Sequence, residues 1–116
     1  RSIADSADSP AAGAIWETFA FAQVRHREQR AGRQGTIFSW RDRTREVDFV
    51  VERGANVELF EAKWTEVPAR SDGVNLEFVR EIVGRARVAQ ATVLCRAPTS
   101  YPLEGGLRVG SVLELD

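Results

Sequence analysis

Two apolar segments, REVDFVVE (45–52) and NVELFEAKW (56–64), are separated by a short turn, RGAN. Runs rich in Val, Phe and Leu around a glycine-containing turn predict a β-hairpin. If Gly54 and Ala55 form a two-residue loop, glycine at the first central position suits a type II′ turn. That register sets Glu52 against Val57, Val50 against Leu59, Asp48 against Glu61 and Glu46 against Lys63. Because side chains alternate along a strand, Asp48, Glu61 and Lys63 share one side of the sheet. Phe49, Val51, Phe60, Ala62 and Trp64 take the other.

Opposed carboxylates need a reason. Two of them about 5 Å apart repel by about 1 kcal/mol in water and about 3 kcal/mol at an effective dielectric near 20. Thr or Val would avoid that cost, and a divalent cation converts it into attraction. Magnesium takes one or two protein carboxylates, keeps several waters and accepts phosphate oxygens. Lys63 adds to the pattern. The chain has fifteen arginines and this single lysine. An ammonium is a compact point donor where a guanidinium is a planar fork. The competing reading is a cross-strand charge network in which Glu46 pairs with Lys63, each contact contributing roughly 0–1 kcal/mol.

Around the hairpin the chain predicts one mixed α/β domain. Residues 12–31 carry Ile15, Trp16, Phe19, Ala20 and Val24 at helical spacing, with Ser9 before Pro10 as a start and Gly32 and Gly35 as stops. A short strand follows over 36–42, then the hairpin. A second helix over 74–88 presents Leu76, Val79, Ile82 and Val83. A buried strand over 90–97 and a strand-like segment over 107–115 complete the order αβββαβ, with further β structure at the end. A meander followed by a crossover helix predicts a mixed central sheet flanked by helices. At 116 residues the chain supports a single core. Residues 1–11 read as a flexible N-terminal segment and 12–116 as the domain. The absence of methionine and the polar opening RSIADSADSP lead to the expectation of a fragment of a longer protein.

One cysteine and one histidine exclude a disulfide framework and an intrachain Cys/His zinc cluster. No apolar run approaches a membrane span, and no signal peptide is visible, so a cytoplasmic setting is expected. Residues 25–45 hold seven arginines (Arg25, Arg27, Arg30, Arg33, Arg41, Arg43, Arg45) against Glu28 and Asp42. Such a patch either attracts phosphates or is a solvated helix end and hairpin. His26 reads as a solvated helix residue, Cys95 as a small buried hydrophobe, and Trp16, Trp40 and Trp64 as core aromatics. No phosphate-binding GxxxxGK[ST] loop is present.

An acid in an early helix, then Asp, a short hairpin and Glu-x-Lys resembles the PD-(D/E)xK, or restriction-endonuclease-like, superfamily. The matching positions are Glu17 in AIWETF, Asp48 in EVDFVV, and Glu61 with Lys63 in FEAKW. More narrowly, GAIWETFAFAQV, the stretch from FSWRD to FEAKW, and YPLEGGLRV resemble an uncharacterised C-terminal domain that follows an AAA-type ATPase module in prokaryotic proteins. The resemblance implies an αβββαβ core and magnesium, with manganese as a substitute, on Asp48 and Glu61. It implies that Lys63 orients or activates the attacking water, and that Glu17 completes the metal shell or positions Lys63. Read by itself, Glu17 lies at the margin of its helix's apolar face and points either to the sheet or to water. The expected activity is metal-assisted phosphodiester hydrolysis, with Arg41, Arg43 and Arg45 holding the backbone of nucleic acid, in the first place DNA. The expected partners are that nucleic acid, an attached ATPase module, and a second copy through a free sheet edge. The runner-up is a non-catalytic module that binds nucleic acid or regulates the ATPase.

Overall fold

A computed structural model describes residues 10–32 and 35–115. Helix α1 (Pro10–Arg30) opens on a proline, whose missing N–H is no loss in the first turn. It closes where Gly32 adopts φ 67° and the Ala31 N–H donates to the Arg27 carbonyl at 3.1 Å. Ser9 and residues 1–9 of the expected flexible segment 1–11 lie outside the described residues, whereas Pro10 and Ala11 belong to α1. Three strands follow as an antiparallel meander: β1 (Thr36–Arg41), β2 (Glu46–Arg53) and β3 (Asn56–Ala62). Gly54 has φ 60°, as the two-residue turn requires. The observed pairs, from Arg53 with Asn56 to Phe49 with Phe60, follow the expected register.

A 3₁₀ turn (Arg70–Gly73) leads into α2 (Val74–Val83). This helix is shorter than the expected 74–88 because Gly84, at φ 104°, ends it. The chain then turns into β4 (Val88–Cys95), parallel to β3. A short hairpin, β5 (Tyr101–Leu103) and β6 (Leu107–Ser111), follows, and β6 runs parallel to β4. The sequence reading missed β5. It also extended β6 too far, since Val112–Glu114 form a 3₁₀ turn capped by the Ser111 hydroxyl, which accepts from the Leu113 N–H at 3.2 Å.

The six strands form one mixed sheet in the order β1-β2-β3-β4-β6-β5, with helices packed against it. Leu76 and Val79 of α2 pack on Val47, Val50, Val57, Leu59, Ala91 and Val93. Ala20 and Val24 of α1 pack with Phe49, Val51, Phe60 and Leu94. Both helices bury a narrower stripe than the sequence suggested. Ile15, Phe19 and Ile82 belong to the expected apolar faces yet are exposed. No helix among the described residues is long and apolar enough to cross a membrane.

Candidate carboxylate site at the mouth of the hairpin

The pairing of β1 with β2 is irregular where the site begins. Phe38 faces Val50 and Trp40 faces Val47, so a two-residue step on β1 meets a three-residue step on β2. Asp48 and Phe49 therefore occupy a bulge, which bends a strand and re-aims a side chain. Accordingly Val47 and Val50, three positions apart, belong to one core cluster, whereas strict alternation would separate them.

Beyond the Phe49–Phe60 pair, carboxyl groups take the place of ladder carbonyls. The Asp48 N–H donates to Glu61 Oε1 at 3.1 Å, and the Ala62 N–H donates to Asp48 Oδ2 at 2.8 Å. Each acid is thus tied to the backbone of the opposite strand. β3 is held from its other side by β4, where Glu61 pairs with Val93 and the Lys63 N–H donates to the Leu94 carbonyl at 2.9 Å. That same carbonyl accepts the Trp16 indole N–H at 3.1 Å. This bond docks α1 at the site and carries the adjacent Glu17 toward it.

The electrostatics record the convergence. Burial, followed by the charge of Asp48, pushes the Glu61 carboxyl up to about 8, while Lys63 opposes the rise. Burial also raises Asp48, against the Ala62 N–H, a hydrogen bond with the Glu61 carboxyl, and Lys63. Burial raises both carboxyls, so the pair as a unit holds a proton more tightly than a solvated carboxyl does. Glu17 is raised by burial and then by the charges of Asp48 and Glu46. The four expected residues therefore act on one another, and they do so with an excess of negative charge. Among the described residues no group of three or more His, Cys, Asp or Glu side chains is placed to hold a metal ion, so the centre is a carboxyl pair with Glu17 further out. The charge network weighed against it is not formed: Glu46 pairs with Arg41 at 3.0 Å, and among the described residues Lys63 has no ion-pair partner.

The arginines expected to hold phosphates divide into two groups. Arg41 and Arg43 are exposed on the β1–β2 turn, beside Glu46. The turn is closed by Asp42, whose carboxylate accepts from the Thr44 and Arg45 N–H groups at 2.9 and 2.8 Å. These bonds hold Asp42 below its usual range. Arg45 places its guanidinium over the Phe78 ring, 4.3 Å from the centroid. Arg27, by contrast, cannot belong to an exposed patch. It is buried against Glu28 at 3.0 Å and Glu58 at 2.9 Å, and Arg53 closes the quartet on the same two acids. The sequence reading missed this cluster. Its one signal was Glu58, set between Val57 and Leu59 in an otherwise apolar run. Arg33 lies outside the described residues. His26 is exposed and Cys95 is buried, as expected, and Trp16 packs on Trp64 with ring centroids 5.5 Å apart.

Residues 12–115 match a protein family described as a domain of unknown function (DUF4143). No curated protein and no solved structure matches the chain significantly.

Proposed function

The chain belongs to the DUF4143 family, and from the carboxyl pair in its hairpin we propose a metal-dependent nuclease domain of the PD-(D/E)xK type. The observation that carries this reading is the reciprocal binding of Asp48 and Glu61 to each other's strands, at a bulge, with the only lysine beside them. A fold gains little by burying two acids side by side, where burial raises the proton affinity of both. A catalytic site that must capture a cation gains a great deal.

The donor set fits magnesium or manganese. Two carboxylates suffice for an ion that keeps several waters. Asp48 and Glu61 would hold it, and Glu17 would complete the outer shell. When bound, the ion supplies Lewis-acid polarisation of the phosphate and a more acidic water. The chain's own groups do the rest. Lys63 donates toward the water or the phosphate oxygen on which charge develops. The two backbone amides keep the acids from swinging out to solvent. Arg41, Arg43 and Arg45 hold the phosphate backbone, in the first place of DNA, so that binding weakens with salt. An attached AAA-type ATPase module, a cytoplasmic setting and a homodimer through the free edge of β1 belong to the same proposal.

The test is cleavage of supercoiled, linear and single-stranded DNA with and without magnesium. The wild type cleaves at least one substrate, and Asp48→Ala and Glu61→Gln each lose about a hundredfold or more in rate. Equal activity in wild type and variants removes the proposal. A second reading is favoured by one observation, the lack of a three-ligand group among the described residues. In that reading the domain binds nucleic acid, or regulates an attached ATPase, without cutting. Calorimetry separates the two readings: manganese binding that disappears in Glu61→Gln supports the enzyme, and no binding in either protein supports the module.

A further inference from the structure

From the β1–β2 turn, whose Glu46 lies two residues before Asp48, a track of surface runs along α2. Two clefts line this track. The first, about 390 Å³, is bordered by the Arg41–Glu46 turn and Asn75. The second, about 610 Å³, is bordered by Arg45, Arg70, Phe78 and Arg85 among others. Arg45 borders both, so the two clefts lie on either side of one residue.

The acids along the track are already engaged. Glu46 is paired with Arg41, Glu77 with Arg70 at 2.8 Å, and Glu81 with Arg85 at 2.7 Å. Asp42 accepts the two turn amides. Among the described residues Arg43 and Arg45 are left with no ion-pair partner, so the unpaired charge on the track is positive. Phe78 lies in the middle of it, 37 % exposed, between Val74 and Ile82 on one exposed helical stripe at 50 % and 57 %. An aromatic ring left in water, with a guanidinium stacked on it and unpaired arginine beside it, is poorly explained by packing. It suits a ligand that offers flat apolar faces and a regular array of negative charges.

We propose that Phe78 and Arg45 form a base-stacking platform, and that the nucleic acid taken by this domain is single-stranded or locally unpaired. An unpaired base lies on the Phe78–Arg45 stack, with Val74 and Ile82 against its neighbours. Arg43 holds the phosphates between that base and the hairpin mouth. In a duplex the bases face each other and offer no free ring to Phe78, so only the phosphate contacts remain. This inference rests on the nucleic-acid reading above, and it adds the strandedness of the substrate to it.

The experiment measures binding of fluorescent oligonucleotides, single-stranded and duplex, by anisotropy in calcium, with Glu61→Gln as the background to prevent cleavage. The single strand binds more tightly. Phe78→Ala weakens it by roughly tenfold or more and leaves the duplex unchanged. Arg43→Ala weakens both forms alike and lowers the salt dependence of each. Circular dichroism and a melting curve establish that Phe78→Ala is folded, and Phe78→Trp restores the preference. Equal affinity for both forms, or a Phe78→Ala variant that binds single strands normally, overturns the platform. Duplex cleavage by the wild type would leave the nuclease reading standing in that case. If neither form binds while an acidic peptide or anionic vesicles do, both the platform and the nucleic-acid reading are overturned.

Discussion

Glu61 is the residue whose chemistry reports most directly on the site. Burial, and next the charge of Asp48, push its carboxyl from an ordinary 4.5 up to about 8 in the folded chain. Between these two values the folded state holds a proton that the unfolded state has released, so stability falls as pH rises through that window. Asp48 and Glu17 are shifted in the same direction and add to the slope. The acids held low, Asp42 and Glu77, act in the opposite sense, but only in more acidic solution. The expected result is a melting temperature that declines from pH 5 to pH 8, with Glu61→Gln flattening the decline. If magnesium binds the deprotonated pair as proposed, it should raise the melting temperature more at pH 8 than at pH 6. A wild-type profile that is flat over this range would contradict the raised proton affinity of the carboxyl pair. The meeting of Asp48 with Glu61 was legible in the sequence because a two-residue glycine turn leaves one register. Glu17 was not legible to the same degree. Its position depends on the Trp16 indole finding the Leu94 carbonyl, a contact 78 residues apart.

At the scale of elements, the hairpin turn was read correctly and the bulge was not. A bulge is defined by the partner strand, and nothing in EVDFVVE announces that β1 spends two residues where β2 spends three. The end of α2 was misread for a different reason. The residues after Gly84 include arginines and a valine that continue a helical pattern well, and they mask the stop that the glycine imposes at φ 104°. The buried quartet was missed because arginine and glutamate are ordinarily solvated. It fastens α1 to the hairpin: Arg27 and Glu28 come from the helix, Arg53 and Glu58 from the strands. Arg27→Met should therefore cost about 3–5 kcal/mol by chemical denaturation, since Glu58 keeps its burial and loses a partner. Ile15→Ser, on the exposed side of the same helix, should change stability by about 0.5 kcal/mol or less. Equal losses in the two variants would show that the helix is attached in some other way.

At the scale of the molecule, the sheet order explains why the site lies where it does. β3 is the hinge of the topology, antiparallel to β2 and parallel to β4. Its C-terminal end is therefore the place where a hairpin mouth, the exit toward α2 and the docking point of α1 meet. The far half, β4-β6-β5, contributes rigidity and no expected site residue. It also depends on close backbone approach. A Cβ at Gly110 would stand 2.5 Å from Thr92 Cγ2 and 3.0 Å from Leu94 Cδ2. Gly110→Ala should cost about 1–3 kcal/mol through overpacking, measured by urea denaturation, while the cation binding proposed for the hairpin is unchanged from the wild type. Loss of both together would mean that the two halves of the sheet are less independent than their packing indicates. The overall αβββαβ order was readable from periodicity. The short β5 was not, because three residues ending at a glycine pair carry too little pattern.

The acids at the hairpin mouth serve as rungs that hold the two strands together, and a rung given over to a ligand no longer fastens the mouth in the same way. If the proposed cation binds there, the amide protons of Asp48 and Ala62 are native gauges of its occupancy. Their hydrogen-exchange rates should change on addition of magnesium, while those of Val51 and Leu59, deeper in the same ribbon, stay constant.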